Sequence, residues 1–192
     1  LAFQKQSGLD QNQAVALLGF IARLTRQKGV ELLISLLNNQ MLKQFQVVIL
    51  GTGDKNLETQ LRNIAGRFSS NVAVNLGFNE MTAHRIYAAA DFMLIPSLFE
   101  PCGLTQMIAM CYGAIPIGSA VGGIKDSIVD GKSGFLFHPV TFNNFSTAVK
   151  KSVALWQDKS AFNLMQQHVM ARDFSWDKSA LKYRDLYRKI LV

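Results

Sequence analysis

Near-continuous apolar runs of strand length alternate, over the first 140 residues, with segments whose apolar positions recur every three or four residues. The runs are Ala14–Ala22 (AVALLGFIA), Phe45–Leu50 (FQVVIL), Val72–Leu76, Phe92–Ile95, Ala114–Ile117 and the short Phe135–Phe137. Between them the pattern predicts helices over Val30–Leu37, about Asp54–Arg67, Glu80–Ala90 and Gly103–Tyr112, with a loop holding Gly122 and Gly123 after the fifth run. Strands that are apolar throughout are covered on both faces, as in parallel sheets. The expectation is an α/β, doubly wound parallel sheet of about six strands. From Thr141 onward only helical periodicity remains, at about Phe142–Trp156, Ala161–Ala171 and Ser175–Leu191. The chain therefore reads as a single domain over 1–192, with an α/β core at 14–140 and a helical tail at 141–192.

In such sheets ligands bind beyond the carboxyl ends of the strands, which directs attention to the loops there. Arg23, Arg26 and Lys28 crowd into the first of them. Three cations so close repel unless an anion or carboxylate joins them, so the cluster is a candidate anion clamp. The segment Ser97–Gln106 reads SLFEPCGLTQ. The amides of Gly103, Leu104 and Thr105, at the start of the expected helix, are candidates to hold a phosphate or a sugar oxygen. Glu100, beside them, suits either accepting hydrogen bonds from neutral hydroxyls or compensating the helix dipole. Gly51-Thr52-Gly53 lacks the rest of a dinucleotide fingerprint and reads as a plain turn. His84 reads as a structural histidine, and Trp156 and Trp176 as packing anchors at helix margins.

Composition adds little to this. Half the residues are hydrophobic (49%), enough for a core, so a disordered chain is excluded. The net charge of +7 is concentrated in the tail, where residues 141–192 hold nine of the twenty basic residues and only four of the thirteen acidic ones. With no aromatic-interleaved basic run, this reads as a solvated helix face rather than a nucleic-acid surface. No apolar run reaches the ~20 residues of a membrane span. Cys102 and Cys111 have no metal-ligand spacing, fitting a reducing compartment and no metal site. The chain opens at Leu1 without an initiator methionine, so a piece of a longer protein is expected.

Four segments carry a resemblance. GFIARLTRQKG (Gly19–Gly29), PSLFEPCGLTQ (Pro96–Gln106), YGAIPIGSAVGGIKDSI (Tyr112–Ile128) and DFSWDKSALKYRDLY (Asp173–Tyr187) are similar, in collinear order, to bacterial glycogen synthase and plant starch synthase. That family has two Rossmann-like lobes, the GT-B fold, and the chain resembles the C-terminal, nucleotide-sugar-binding lobe, without the N-terminal one. The resemblance implies retaining transfer of glucose from ADP-glucose to the non-reducing end of an α-1,4-glucan, with no metal or other cofactor. It implies that Arg23 and Lys28 neutralise the donor diphosphate and that Glu100 binds glucose hydroxyls near the reacting carbon. Cys102, Gly103, Leu104 and Thr105 would line the glucose and phosphate site through backbone amides. Gly122 and Gly123 would contact the ribose or phosphate side, and Phe78 would stack on the base, where the family often has Tyr. Related sugar transferases carry a second Glu eight residues after the first. Here Ile108 stands at that position, which argues against those relatives. The implied partners are ADP-glucose or ADP, the glucan and an N-terminal lobe, with no nucleic acid and no membrane. The implied location is bacterial cytoplasm, or plastid stroma in a plant or alga. A UDP-sugar-dependent enzyme of the same fold, or an inactive nucleotide- or glucan-binding lobe, is the alternative.

Overall fold

The computed structural model describes residues 1–191. Six strands form one sheet: β1 Ala16–Ile21, β2 Phe45–Gly51, β3 Val72–Leu76, β4 Phe92–Ile95, β5 Ile115–Ser119 and β6 Phe135–Phe137. Their order is β3-β2-β1-β4-β5-β6, and every pairing is parallel. The helices are α1 Ala2–Gln6, α2 Val30–Leu37, α3 Lys55–Arg67, α4 Glu80–Ala89, α5 Thr105–Cys111, α6 Gly122–Ser127, α7 Phe142–Gln157, α8 Lys159–Met170 and α9 Trp176–Ile190.

The strands are mostly apolar because alternate residues enter two separate cores; the exceptions include Gln46, buried with hydrogen-bond partners, and Asn75 in the edge strand β3. Leu18, Phe20, Val47 and Ile49 pack on one side, beneath Leu33 of α2, Leu61 of α3 and Val149 of α7. Leu17, Val48 and Leu50 pack on the other, beneath Ile86 and Tyr87 of α4 and Ala109 of α5. Phe20 and Phe45 are almost wholly enclosed, and truncating such a ring to Ala costs about 3–5 kcal/mol. Helix starts are capped where the chemistry allows. Asp54 accepts from the amides of Asn56 and Leu57, and Asn79 from that of Thr82.

The expected doubly wound sheet is therefore present, with several local corrections. β1 is shorter than the Ala14–Ala22 run. The segment at Gly122-Gly123, expected as a loop, is the first turn of a short helix. α5 starts at Thr105, because Gly103 takes φ +75° and lies outside the helical region. α1 was not anticipated. In the tail α7 and α8 pack on the core, but α9 has no buried residue among those described. Trp176, expected as an anchor, is 85% exposed, whereas Trp156 does pack, edge-on to Phe162. No described helix is long and apolar enough to cross a membrane.

Candidate functional site

The sheet order puts β1 beside β4, with the chain winding outward in opposite directions from that pair. A crevice opens there, between the loops that follow the two strands. The loops meet closely. Leu98 donates its amide to the carbonyl of Gln27 at 2.8 Å, and the Gln27 side chain donates to the Phe99 carbonyl at 3.1 Å. Gly29, at φ +70°, makes this approach possible, since a Cβ there would fall 1.9 Å from the Pro96 carbonyl oxygen.

The three cations of the first loop do not form one cluster. Arg26 faces Glu31 at 3.8 Å in solvent. Lys28 reaches across the crevice and its ammonium is bonded to Glu100 Oε2, with the two side chains 20% and 10% exposed. Arg23 is exposed and has no ion-pair partner among the described residues. The carboxylate that the crowded cations required is thus supplied from a loop 72 residues away. Ser97 Oγ donates to the same carboxylate oxygen at 3.2 Å, and Glu100 Oε1 has no hydrogen-bond partner among the described residues.

Two hollows, each of about 230 Å³, adjoin at Arg23. One is lined by Arg23, Lys28, Ser97, Glu100 and Thr105 on one part of its wall and by strand-end apolar side chains such as Ile21 and Ile95 on the rest. The other lies between Ile21, Leu50, Gly51 and Phe78 and is almost wholly apolar. Phe78, just past β3, is 84% exposed. A large exposed ring beside an apolar slot offers a flat stacking surface. The arrangement as a whole suits a ligand that is planar at one end, anionic in the middle and hydroxylated at the other.

The amides of Gly103, Leu104 and Thr105 make no hydrogen bond to the described residues. Of these only Thr105 lies in the helix. Cys102 and Leu104 are exposed and line neither hollow. Gly122 and Gly123 serve a purpose that their spacing did not reveal. A Cβ on Gly122 would fall 2.1 Å from the Glu100 carbonyl oxygen, and one on Gly123 2.0 Å from that of Cys102. Gly123 also donates its amide to the Glu100 carbonyl at 3.1 Å, so that amide is committed to the protein rather than open to a ligand. Both glycines let α6 press against the backbone that carries Glu100.

The family profile described as glycosyl transferases, group 1, matches residues 2–163. The chain belongs to that family. It is similar to the glycogen synthase of Geotalea daltonii, with 42% identity over all of this chain and 41% of the relative. It is also similar to the glycogen synthase of Clostridium perfringens, with 39% identity over all of this chain and 41% of that protein. Among solved structures it is similar to the catalytic domain of starch synthase IV from Arabidopsis thaliana bound to ADP and acarbose. There the TM-score is 0.87 and the identity 36%, over 98% of this chain and 41% of that one. The chain thus spans about two fifths of the length of these relatives. The six-stranded sheet and its helices match the GT-B architecture of the starch synthase.

In this glycosyl transferase domain one residue that the sequence pattern passed over braces the turn beside the candidate site. Gln106 is fully buried in the first turn of α5. Its Nε2 lies within hydrogen-bond distance of the carbonyls of Cys102 and Gly103 and of Ser127 Oγ, at 3.1, 2.8 and 3.0 Å. Ser127 in turn donates to the Gly123 carbonyl at 2.6 Å. One amide therefore ties the Cys102–Gly103 turn to α6. The only signal in the sequence is its place at the end of the FEPCGLTQ string; its burial depends on α6, twenty residues on.

Proposed function

We propose that the chain is the nucleotide-sugar-binding part of a retaining glucosyltransferase, taking glucose from ADP-glucose and passing it to the non-reducing 4-OH of an α-1,4-glucan. The observation that carries the reading is the pair of hollows joined at Arg23, one apolar beside Phe78 and one charged beside Glu100. The ADP bound to the similar starch synthase supports the choice of base, as does the absence of a second carboxylate at Ile108.

In this reading the adenine lies on Phe78 and the diphosphate passes Arg23. As the bond from the glucosyl carbon to the diphosphate oxygen breaks, negative charge grows on the leaving ADP. The Arg23 guanidinium and the unpartnered amides at Gly103, Leu104 and Thr105 offset that charge, and such preorganised donors are worth most where water is excluded. Glu100 Oε1 accepts hydrogen bonds from glucose hydroxyls, and its charge favours the positive character developing at the reacting carbon. Lys28 is shared between Glu100 and the phosphate once the donor enters.

The test is incorporation of labelled glucose into glycogen by a full-length synthase carrying this segment, with ADP-glucose and UDP-glucose in competition. Incorporation from ADP-glucose, little affected by equimolar UDP-glucose, is expected. Preferential use of UDP-glucose would overturn the choice of donor, and no transfer from either would overturn the reading.

A further inference from the structure

The loop between β2 and α3 forms the back of the apolar hollow, yet the Thr52 hydroxyl does not face a ligand freely. Thr52 Oγ1 donates to Glu58 Oε1 at 2.7 Å, and the same oxygen accepts the Gly53 amide at 3.0 Å. Glu58 Oε2 accepts from Lys55 Nζ at 2.9 Å. The glutamate, in the first turn of α3, is only 6% exposed. A carboxylate covered in this way is tolerated because it is paired and hydrogen-bonded. The Gly53 amide first, then Lys55 and Thr52, hold its pKa down to about 2, so the charge persists at any working pH.

The same loop grips the exit of β1. Leu24 donates its amide to the Thr52 carbonyl at 2.9 Å, and Asp54 donates to the Leu24 carbonyl at 2.8 Å. Leu24 and Gly53 form a parallel bridge, with no room for a Cβ at Gly53, which would fall 2.4 Å from the Leu24 oxygen. On its other side the loop accepts the Gly77 amide on the Gly51 carbonyl at 3.0 Å, next to Phe78. One buried carboxylate therefore fixes a loop that abuts Arg23 at one edge and Phe78 at the other.

We propose that Glu58 is a positioning residue for donor binding, setting the Arg23 backbone and the back wall of the base hollow through Thr52 and Gly53. It touches no donor atom itself. The inference rests on the nucleotide-sugar reading, and the experiment separates the two.

ADP is titrated calorimetrically into a full-length synthase carrying this segment and into its Glu58→Ala, Glu58→Gln, Arg23→Ala and Glu58→Ala/Arg23→Ala variants, with melting temperatures measured alongside. Glu58→Ala is expected to bind ADP about 10-fold more weakly. Glu58→Gln should stay within about 3-fold of the unaltered chain, because its carbonyl still accepts from Thr52 and Gly53. The double variant should lose less than the product of the two single losses, since part of the Glu58 effect passes through Arg23. If Glu58→Ala does not fold, Thr52→Val replaces it; an about 3-fold loss supports the proposal, and unchanged affinity overturns it. A lowered melting temperature with unchanged ADP affinity, a glutamine variant as weak as the alanine one, or multiplicative losses would each overturn the positioning role. No ADP binding by the unaltered full-length protein would overturn the nucleotide reading and this inference with it.

Discussion

The ammonium of Lys28 is bonded to the carboxylate of Glu100 across the mouth of the sheet, so the two strongest candidates for donor chemistry restrain each other before any ligand arrives. The pair separates their roles from that of Arg23, which has no such partner among the described residues.

Arg23→Ala should leave the melting temperature unchanged, because the side chain is exposed and outside any ion pair of the described residues. It should weaken ADP binding by about 1.5–3 kcal/mol, the range for a charge-assisted hydrogen bond. Differential scanning calorimetry and ADP titration on the same sample check both halves.

Lys28→Ala should behave differently. It strands a carboxylate that is 10% exposed, and breaking a fully buried pair from one side costs about 3–5 kcal/mol. The residual exposure of this pair makes a smaller loss the expectation. Adding Glu100→Gln to Lys28→Ala should recover part of the lost melting temperature, which two independent surface charges would not do.

Glu100→Gln alone should lower kcat by about 10²-fold, as for the loss of one electrostatic stabiliser, in a full-length synthase carrying this segment. ADP affinity should hold or improve, since Lys28 is released toward the phosphate. If Glu100 served only the dipole of α5, the variant would lose about 0.3–1 kcal/mol of stability and keep its kcat. Steady-state kinetics with a melting curve distinguishes these outcomes.

At the opposite end of the sheet Asp91 offers a pH test of the fold. Burial raises its pKa to about 6, although the Leu17 amide and Lys159 oppose the shift. A carboxyl whose folded pKa exceeds its unfolded value of about 4 favours the folded state when protonated, so stability falls as pH rises through the window from about 4 to 6. Asp91→Asn keeps an acceptor for the Leu17 amide without the charge. Its melting temperature should match the unaltered chain at pH 4 and exceed it at pH 8.

Much of this architecture was legible in the sequence, because strands such as FQVVIL, buried on both faces, keep a near-continuous apolar run interrupted by Gln46 alone. The loops carrying Arg23, Lys28, Phe78 and Glu100 followed from the strand ends. What was illegible depended on contacts between distant segments. Lys28 and Glu100 meet only because β1 lies next to β4. Gly122-Gly123 reads locally as a helix breaker, and the carbonyls of Glu100 and Cys102 that demand glycine there are invisible in the local pattern. Glu58 looks like any exposed helix glutamate until the Thr52–Gly53 turn covers it. Trp176 misled in the other direction, since a large aromatic residue suggested packing and α9 contributes no buried residue among those described.

The most direct measurement is a crystal structure of the chain with ADP-glucose. The adenine is expected on the face of Phe78 between Ile21 and Gly51, the diphosphate beside the Arg23 guanidinium, and a glucose hydroxyl on Glu100 Oε1. A donor bound elsewhere would contradict the nucleotide-sugar reading, as would a diphosphate beyond the reach of Arg23.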